Sequence, residues 1–423
     1  VRQIAQINRT DYPHFADALV KWSTQFEVAS VLNSNAYSDT YGRYTLLAGI
    51  GSRRMFGKGS VAELRSFYTS KRTWLFGHLG YDLKNQLEEL SSQHQSNFDF
   101  GDMSFFEPEI LVMQKRQEEE VRFYGEDESL AAAFIESLHD FQPEPISLPK
   151  LQAKMQKEDY LLAIKQLQAE IQFGNIYEIN YCQEFYKTQV KIDVAATYAM
   201  LNAKSAMPYS AFYKLQSDTL ICASPERFIT KRGEQLYSQP IKGTIKRGKT
   251  EQEDEALKQQ LQLDLKEQTE NVMIVDLVRN DLSRTAARGS VTVEELFGVY
   301  PFPQVHQLVS TIRSTLDKKY DIFDVIETTF PMGSMTGAPK ISAMQLADKH
   351  EKSRRGLYSG SVGYISPEGD ADFNVVIRSL MYSAKREYLS LTVGGAITHL
   401  AEAEKEYEEC LLKAQAIFEL GEK

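Results

Sequence analysis

Strand signals in this chain come in adjacent runs with helices set between the runs, and that ordering constrains the fold more than any other feature. Glu178–Tyr186, Ser210–Lys214, Thr219–Ala223 and Phe228–Lys231 follow one another as short apolar or alternating segments. An amphipathic helix over Lys157–Gln172, closed by Gly174-Asn175, precedes them. A long helix from Gln252 to about Arg284 follows, charged at its start and apolar around Val272 to Val278. Further on, Phe323–Thr329 and Ile341–Lys349 read as helices, Gly360–Ile365, Ala371–Met381 and Leu389–Val393 as strands, and Leu400–Leu420 as a final helix. A doubly wound parallel sheet needs regular strand–helix alternation, so the expected class is α+β or mixed α/β.

The first 140 or so residues mix both signals. Tyr12 to Glu27 carries apolar residues at helical spacing, and Thr73–Leu83 reads as a buried strand turning into a loop. Ile110–Met113 and Val121–Tyr124 read as a hairpin. The polar, proline-bearing stretch Gln142–Lys150 is the one linker candidate, dividing an N-terminal portion, 1–145, from a larger portion, 146–423. With 423 residues, 42% hydrophobic, the chain can bury a large core. Its formal net charge of -10 argues against nucleic acid or an anionic membrane as the main partner. No apolar run reaches membrane-spanning length, and residues 1–10 lack the apolar core of a signal peptide, so a cytoplasmic location is expected. Cys182, Cys222 and Cys410 are widely spaced, with no C-x-x-C pair, and are expected as reduced core residues.

Chemistry concentrates in a few segments. In Ser238-Gln239-Pro240-Ile241-Lys242-Gly243-Thr244, Pro240 fixes one backbone angle and Gly243 permits a conformation closed to other residues. Lys242 is therefore expected on a defined turn at the end of a strand, although a lysine beside a glycine is by itself more often a solvated loop residue. The long helix carries the row Glu267, Glu270, Ile274 and Leu277, and the last helix the row Glu406, Glu409, Lys413 and Ile417. Two readings stay open: the acids are solvated faces, or they are buried and must be paired or bind a cation. Four carboxylates without histidine or cysteine favour a hard cation, Mg²⁺ before Zn²⁺. Pro331–Lys340 lacks the spacing of a nucleotide phosphate loop, but its N–H groups, Ser334 and Lys340 could hold a carboxylate. Gly394-Gly395-Ala396, a second glycine-rich turn, could do likewise. Tyr358 and Arg378 are candidate anion ligands, a lone arginine on a strand being also a common structural ion pair.

Taken in order, Ser224-Pro225-Glu226-Arg227-Phe228, Pro240–Thr244, Glu270-Asn271 running into Ile274–Asp281, Thr336-Gly337-Ala338-Pro339-Lys340 and Glu406-Tyr407-Glu408-Glu409 resemble the chorismate-utilising enzymes. That family includes the large subunits of anthranilate synthase and aminodeoxychorismate synthase, and the isochorismate and salicylate synthases. The resemblance is dense from about residue 155 onward, and Leu79–Leu83 resembles the family's N-terminal signature. It implies an anthranilate-synthase-like fold: one interwoven α/β unit, two large antiparallel β-sheets in a sandwich flanked by helices. It implies Mg²⁺ held by Glu270 and Glu409, with Glu267 and Glu406 as secondary or alternate ligands, the metal receiving the ring carboxylate of chorismate. Arg378 and Tyr358 would hold the enolpyruvyl carboxylate, assisted by Lys413 and by backbone around Ser334, Gly394 and Gly395. Glu226 matches the general acid for departure of the C4 hydroxyl, a role that a desolvated carboxyl protonated near neutral pH can fill.

Lys242 separates the branches. In aminodeoxychorismate synthases the matching lysine attacks C2 as the C4 hydroxyl leaves, and ammonia then adds at C4 and expels it; anthranilate synthases usually carry alanine there. Isochorismate and salicylate synthases use a base lysine at the position of Glu178, and an acid there disfavours them. The resemblance thus implies conversion of chorismate and ammonia to 4-amino-4-deoxychorismate, a precursor of para-aminobenzoate and folate, with ammonia from a separate glutamine amidotransferase subunit. Anthranilate formation is one alternative. A non-catalytic tryptophan-binding subunit is another, since related N-terminal regions hold tryptophan near the segment matching Leu32-Asn33-Ser34. Three positions depart from the amino-transferring pattern: Glu178 stands where glutamine is usual, Gln307 where histidine is usual, and Ala396 where a third glycine is usual.

Overall fold

The computed structural model describes residues 2–421. Its strands form a 12-stranded and a 10-stranded sheet in which the paired strands run antiparallel. The periodicity explains why several strands read as continuous apolar runs. Along Asp218–Ser224, Leu220 and Cys222 point into the core between the sheets, while Ile221 and Ala223 point to the opposite face beneath helices. A strand buried on both faces has no polar side to alternate with. The inter-sheet core joins Leu47, Tyr213 and Cys222 of the larger sheet to Phe76, Phe105 and Phe373 of the smaller. A second core, with Phe15, Leu19, Phe212, Ile221 and Ile417, lies under the helices Phe15–Ser23 and Ala403–Phe418.

Early and late segments alternate in both sheets. Val28–Asn33 pairs with Tyr209–Leu215, and Leu75–Leu79 pairs with Ser361–Ile365. The stretch Gln142–Lys150 has no regular secondary structure, but Leu148 is buried and its N–H donates to Leu420 O at 3.1 Å.

Two expected elements are each divided. The helix expected from Gln252 to Arg284 is two helices, Glu251–Leu263 and Leu265–Ser283. Asp264 leaves the helical region at ψ 113° and its carboxylate accepts from the N–H groups of Lys266 and Glu267, so one residue ends the first helix and caps the second. The strand expected over Ala371–Met381 is also two: Ala371–Asn374 in the smaller sheet and Ser379–Ser383 in the larger. The chain crosses between them through Arg378, whose φ of 52° is incompatible with a continuing strand. Three further strands, Ile241–Lys246, Thr292–Pro301 and Val305–Thr315, complete one end of the smaller sheet beside the Leu265–Ser283 helix.

Candidate active site

Pro240 separates the strands Gln235–Gln239 and Ile241–Lys246, and the second begins with a bulge. Ile241 pairs with Val309 and Thr244 with Gln307, so the Lys242 strand fits one extra residue into that interval. Gly243 sits at φ 93° inside the bulge, and a Cβ there would lie 3.0 Å from both Glu267 Oε2 and Leu308 Cδ1. Both conformation and space therefore require glycine. The bulge is held by Asn271 of the adjoining helix, whose Nδ2 donates to Lys242 O at 3.5 Å and whose Oδ1 accepts from Ser310 Oγ of the Val305–Thr315 strand at 2.6 Å.

The Lys242 side chain is buried, and Nζ makes a very close ion pair with Glu178, the first residue of the Glu178–Thr188 strand. It faces a cleft of about 820 Å³, counted to its open mouth. Glu226, Ser334, Tyr358, Arg378, Lys413 and Gly394 share this cleft, as do all four carboxylates Glu267, Glu270, Glu406 and Glu409. Gly395 stands just behind, a Cβ on it falling 3.6 Å from Glu406 Oε2. Gly394-Gly395-Ala396 is not a turn, however. It continues the Tyr388–Ile397 strand opposite Asn180–Cys182, and glycine serves close approach there: a Cβ on Gly394 would meet Tyr181 O at 2.5 Å. Lys340 is also placed otherwise than expected, since its ammonium bonds Asp281 at 2.6 Å and Thr329 O at 3.1 Å and does not line the cleft.

Burial dominates the electrostatics. It pushes the Glu226 carboxyl up to about 7 against the pull of Lys242 and Arg378. Burial likewise raises Glu270 to about 7, and with Glu409 as a neighbour it raises Glu267 and Glu406. Glu409 alone of the four is lowered, by Lys413 at 2.7 Å. Burial pulls Lys242 down, but Glu178, Glu270 and Glu226 outweigh it and hold the amine above its ordinary value. Burial brings Arg378 down to about 10, with Glu226 opposing, so the guanidinium remains charged at neutral pH.

The solvated-face reading fails for Glu270 and Glu406, which are buried. Ion-paired with the four acids are Lys413 and Lys266, the latter 3.5 Å from Glu406 and 3.8 Å from Glu270, and Lys242 adds a third nearby cation, which still leaves an excess of carboxylate. Glu270 Oε1 is buried without a hydrogen-bond partner, as are Ser334 Oγ and Gln307 Oε1 in the same cleft. An all-oxygen donor set with surplus negative charge and an orphaned carboxylate oxygen fits a hard divalent cation. Among the described residues no three such ligands are gathered at coordinating distance.

Two residues that spacing did not single out matter here. Glu178 contacts Lys242 from 64 positions away. Arg355 is buried behind the cleft, its Nη atoms donating to Met335 O and Asn180 O, each at 2.7 Å, and to Glu351 at 2.6 Å. Elsewhere, Leu32, Asn33 and Ser34 border a pocket of about 480 Å³ with Tyr209 and Arg227. Arg227 is buried there between Asp39 at 2.6 Å and Asp372 at 2.9 Å. Cys182, Cys222 and Cys410 are free and buried, and no helix among the described residues is long and apolar enough to cross a membrane.

The family model of chorismate binding enzymes matches residues 46–419. Aminodeoxychorismate synthase component 1 of Escherichia coli (strain K12) is 35% identical over 350 residues, 82% of this chain and 76% of that protein. The chloroplastic aminodeoxychorismate synthase of Arabidopsis thaliana is 37% identical over 367 residues, 80% of this chain and 39% of that protein. Anthranilate synthase component I from Streptococcus pneumoniae TIGR4 superposes with a TM-score of 0.77 at 23% identity, over 90% of this chain and 93% of that one, which establishes the shared fold. The chain belongs to the family of chorismate-binding enzymes.

Proposed function

We propose that the chain is the chorismate-aminating component of an aminodeoxychorismate synthase, converting chorismate and ammonia to 4-amino-4-deoxychorismate. The observation that carries this reading is Lys242, a buried amine aimed by a bulge into a carboxylate-lined cleft, touching one acid and sharing the cleft with a second, Glu226, whose carboxyl burial pushes up to about 7. The relatives named above for this activity support it. The alternative, anthranilate formation, has no use for a nucleophilic lysine.

In the reaction so read, the Lys242 ammonium passes a proton to Glu178, with which it is in contact. The neutral amine forms a bond to C2 as the C4–O bond breaks, and Glu226 gives its proton to the departing oxygen, releasing water. Ammonia then bonds to C4 as the C2–N bond breaks. Lys242 recovers its proton from Glu178, and the new C4 ammonium returns one to Glu226. The sum is chorismate plus ammonia giving the amino product and water. Arg378, Lys413 and Tyr358 supply charge and a hydroxyl for the substrate's side-chain carboxylate. Ammonia is taken to come from a separate glutamine amidotransferase subunit, in keeping with the relatives' designation as component 1.

One assay tests the assignment. With chorismate, Mg²⁺ and ammonium, 4-amino-4-deoxychorismate is the expected product; fluorescent anthranilate would overturn the reading. Because the acid Glu226 works only when protonated, kcat/KM should fall about tenfold per unit as pH rises above about 7. Glu226→Gln should lose that limb and about 10²–10⁴-fold in kcat.

Glu270 and Glu409, with Glu267 and Glu406, would hold Mg²⁺, which when bound supplies positive charge for the ring carboxylate. Mg²⁺ at a hundredfold excess over Kd is then expected to stabilise the fold by about 2.7 kcal/mol, read as a rise in Tm without substrate. Glu270→Gln and Glu409→Gln should abolish the rise. A rise that survives in both variants would place the metal elsewhere.

A further inference from the structure

Resting on that amination chemistry, we infer that the side-chain oxygen of Gln307 is the acceptor that seats ammonia for its attack on C4. Gln307 stands on the Val305–Thr315 strand opposite Thr244, the residue that closes the Lys242 bulge. It is 4% exposed and lines the cleft. Its Nε2 donates to Thr244 Oγ1 at 3.2 Å, which fixes the amide and leaves Oε1 as its free end. Oε1 is buried and has no hydrogen-bond partner among the described residues. An amide oxygen shut away from water without a donor is destabilising, so a native one calls for a partner that arrives from elsewhere.

The reactants narrow what that partner is. Glu270 Oε1 and Ser334 Oγ, also unpaired in the cleft, have uses of their own: the first is a carboxylate suited to a cation, and the second a hydroxyl that can donate to an anion. Gln307 Oε1 can only accept. The carboxylates of chorismate carry no proton to offer it and would repel it. The C4 oxygen has to receive a proton from Glu226, and it departs before nitrogen reaches C4. Ammonia remains, with three N–H groups and one lone pair. Held through an N–H, it keeps the lone pair for C4. A carboxylate in the same place would favour ammonium, whose lone pair is already spent on a proton, whereas a neutral amide gives no such bias. Two neighbouring strands thus carry the two nitrogen positions that the reaction needs, Lys242 for C2 on one and the Gln307 seat for C4 on the other.

Timing the two halves of the reaction separately tests the inference. Loading is followed with chorismate and Mg²⁺ alone, as the mass of the Lys242 peptide after quenching, and amination with ammonium and chorismate varied in turn. Gln307→Leu removes the acceptor at similar volume and is expected to lower kcat/KM for ammonia about tenfold. Loading and KM for chorismate should stay within about twofold of the parent, which a general loosening of the cleft would not allow. Thr244→Val frees the amide without removing it and should move kcat/KM for ammonia the same way by a smaller factor. A KM for chorismate that rises in step would mean that the amide meets a substrate carboxylate, and slowed loading that it meets the C4 hydroxyl; either overturns the inference. A Mg²⁺-dependent rise in Tm that vanishes in Gln307→Leu would make the amide a metal ligand and overturn it too, as would an unmoved kcat/KM for ammonia. A parent that makes no amino product from ammonium sinks the proposed function, and this inference with it.

Discussion

Replacing Lys242 by alanine is expected to lower kcat for amination by about 10³-fold or more, with KM for chorismate changed only a few-fold. In the proposed reaction the amine would supply the bond that displaces the C4 hydroxyl, an interaction made in the transition state and absent when substrate merely binds. In the proposed reaction substrate affinity would rest on other groups that line the cleft, Arg378, Lys413 and Tyr358 among them. The variant leaves Glu178 buried without the cation it contacts. Stopped-flow and steady-state rates check the expectation. A variant within tenfold of the parent would mean that ammonia reaches chorismate directly and that Lys242 is a structural ion pair.

Arg355→Met is expected to lower unfolding free energy by about 3–5 kcal/mol, measured by urea denaturation. The guanidinium is buried, stacks 4.5 Å over the Tyr81 ring, pairs with Glu351, and bonds the carbonyls of Asn180 and Met335 and the hydroxyl of Ser359. One side chain thus ties the Glu178–Thr188 strand to the loop that carries Ser334 into the cleft. Its removal leaves Glu351, itself buried and accepting from Cys182 N–H at 3.1 Å, without its counter-charge. Replacing both partners, as Arg355→Met with Glu351→Leu, should recover much of the stability, because an apolar pair carries no desolvation cost. Chorismate KM should stay raised in the double variant, since neither carbonyl is held. A loss below about 1 kcal/mol in the single variant would show that the network is solvent-relaxed.

What could be read from the residues follows from what each signal senses. Hydrophobic periodicity senses burial, so strands covered on both faces, such as Asp218–Ser224, were legible with nearly their observed bounds. It does not sense a change of direction inside a favourable run. Asp264 interrupts a charged helical pattern without disturbing its spacing, and Arg378 turns the chain from one sheet to the other within residues of strand character. The pair Gly394-Gly395 resembled a turn because glycine is used both for positive φ and for close approach; at Gly394 the second use applies. In the site, helical spacing shows that Glu267 and Glu270 share a face, and Glu406 and Glu409 another. What covers those faces depends on how the two helices pack, which spacing does not contain. The Glu178 contact with Lys242 and the bonds of Arg355 to Asn180 and Met335 are long-range consequences of sheet register and loop path, so they emerge only from the fold.

The central claim is that Lys242 bonds covalently to the substrate, and the mass of the peptide that carries Lys242 tests it most directly. Protein mixed with chorismate and Mg²⁺ in the absence of ammonia, quenched and digested, should carry a mass increment of chorismate less one water on the peptide containing Lys242. The increment should disappear when ammonium is added before the quench and should be missing in Lys242→Ala. A parent protein that turns over with ammonium yet never acquires the increment, or acquires it on another residue, would contradict the account.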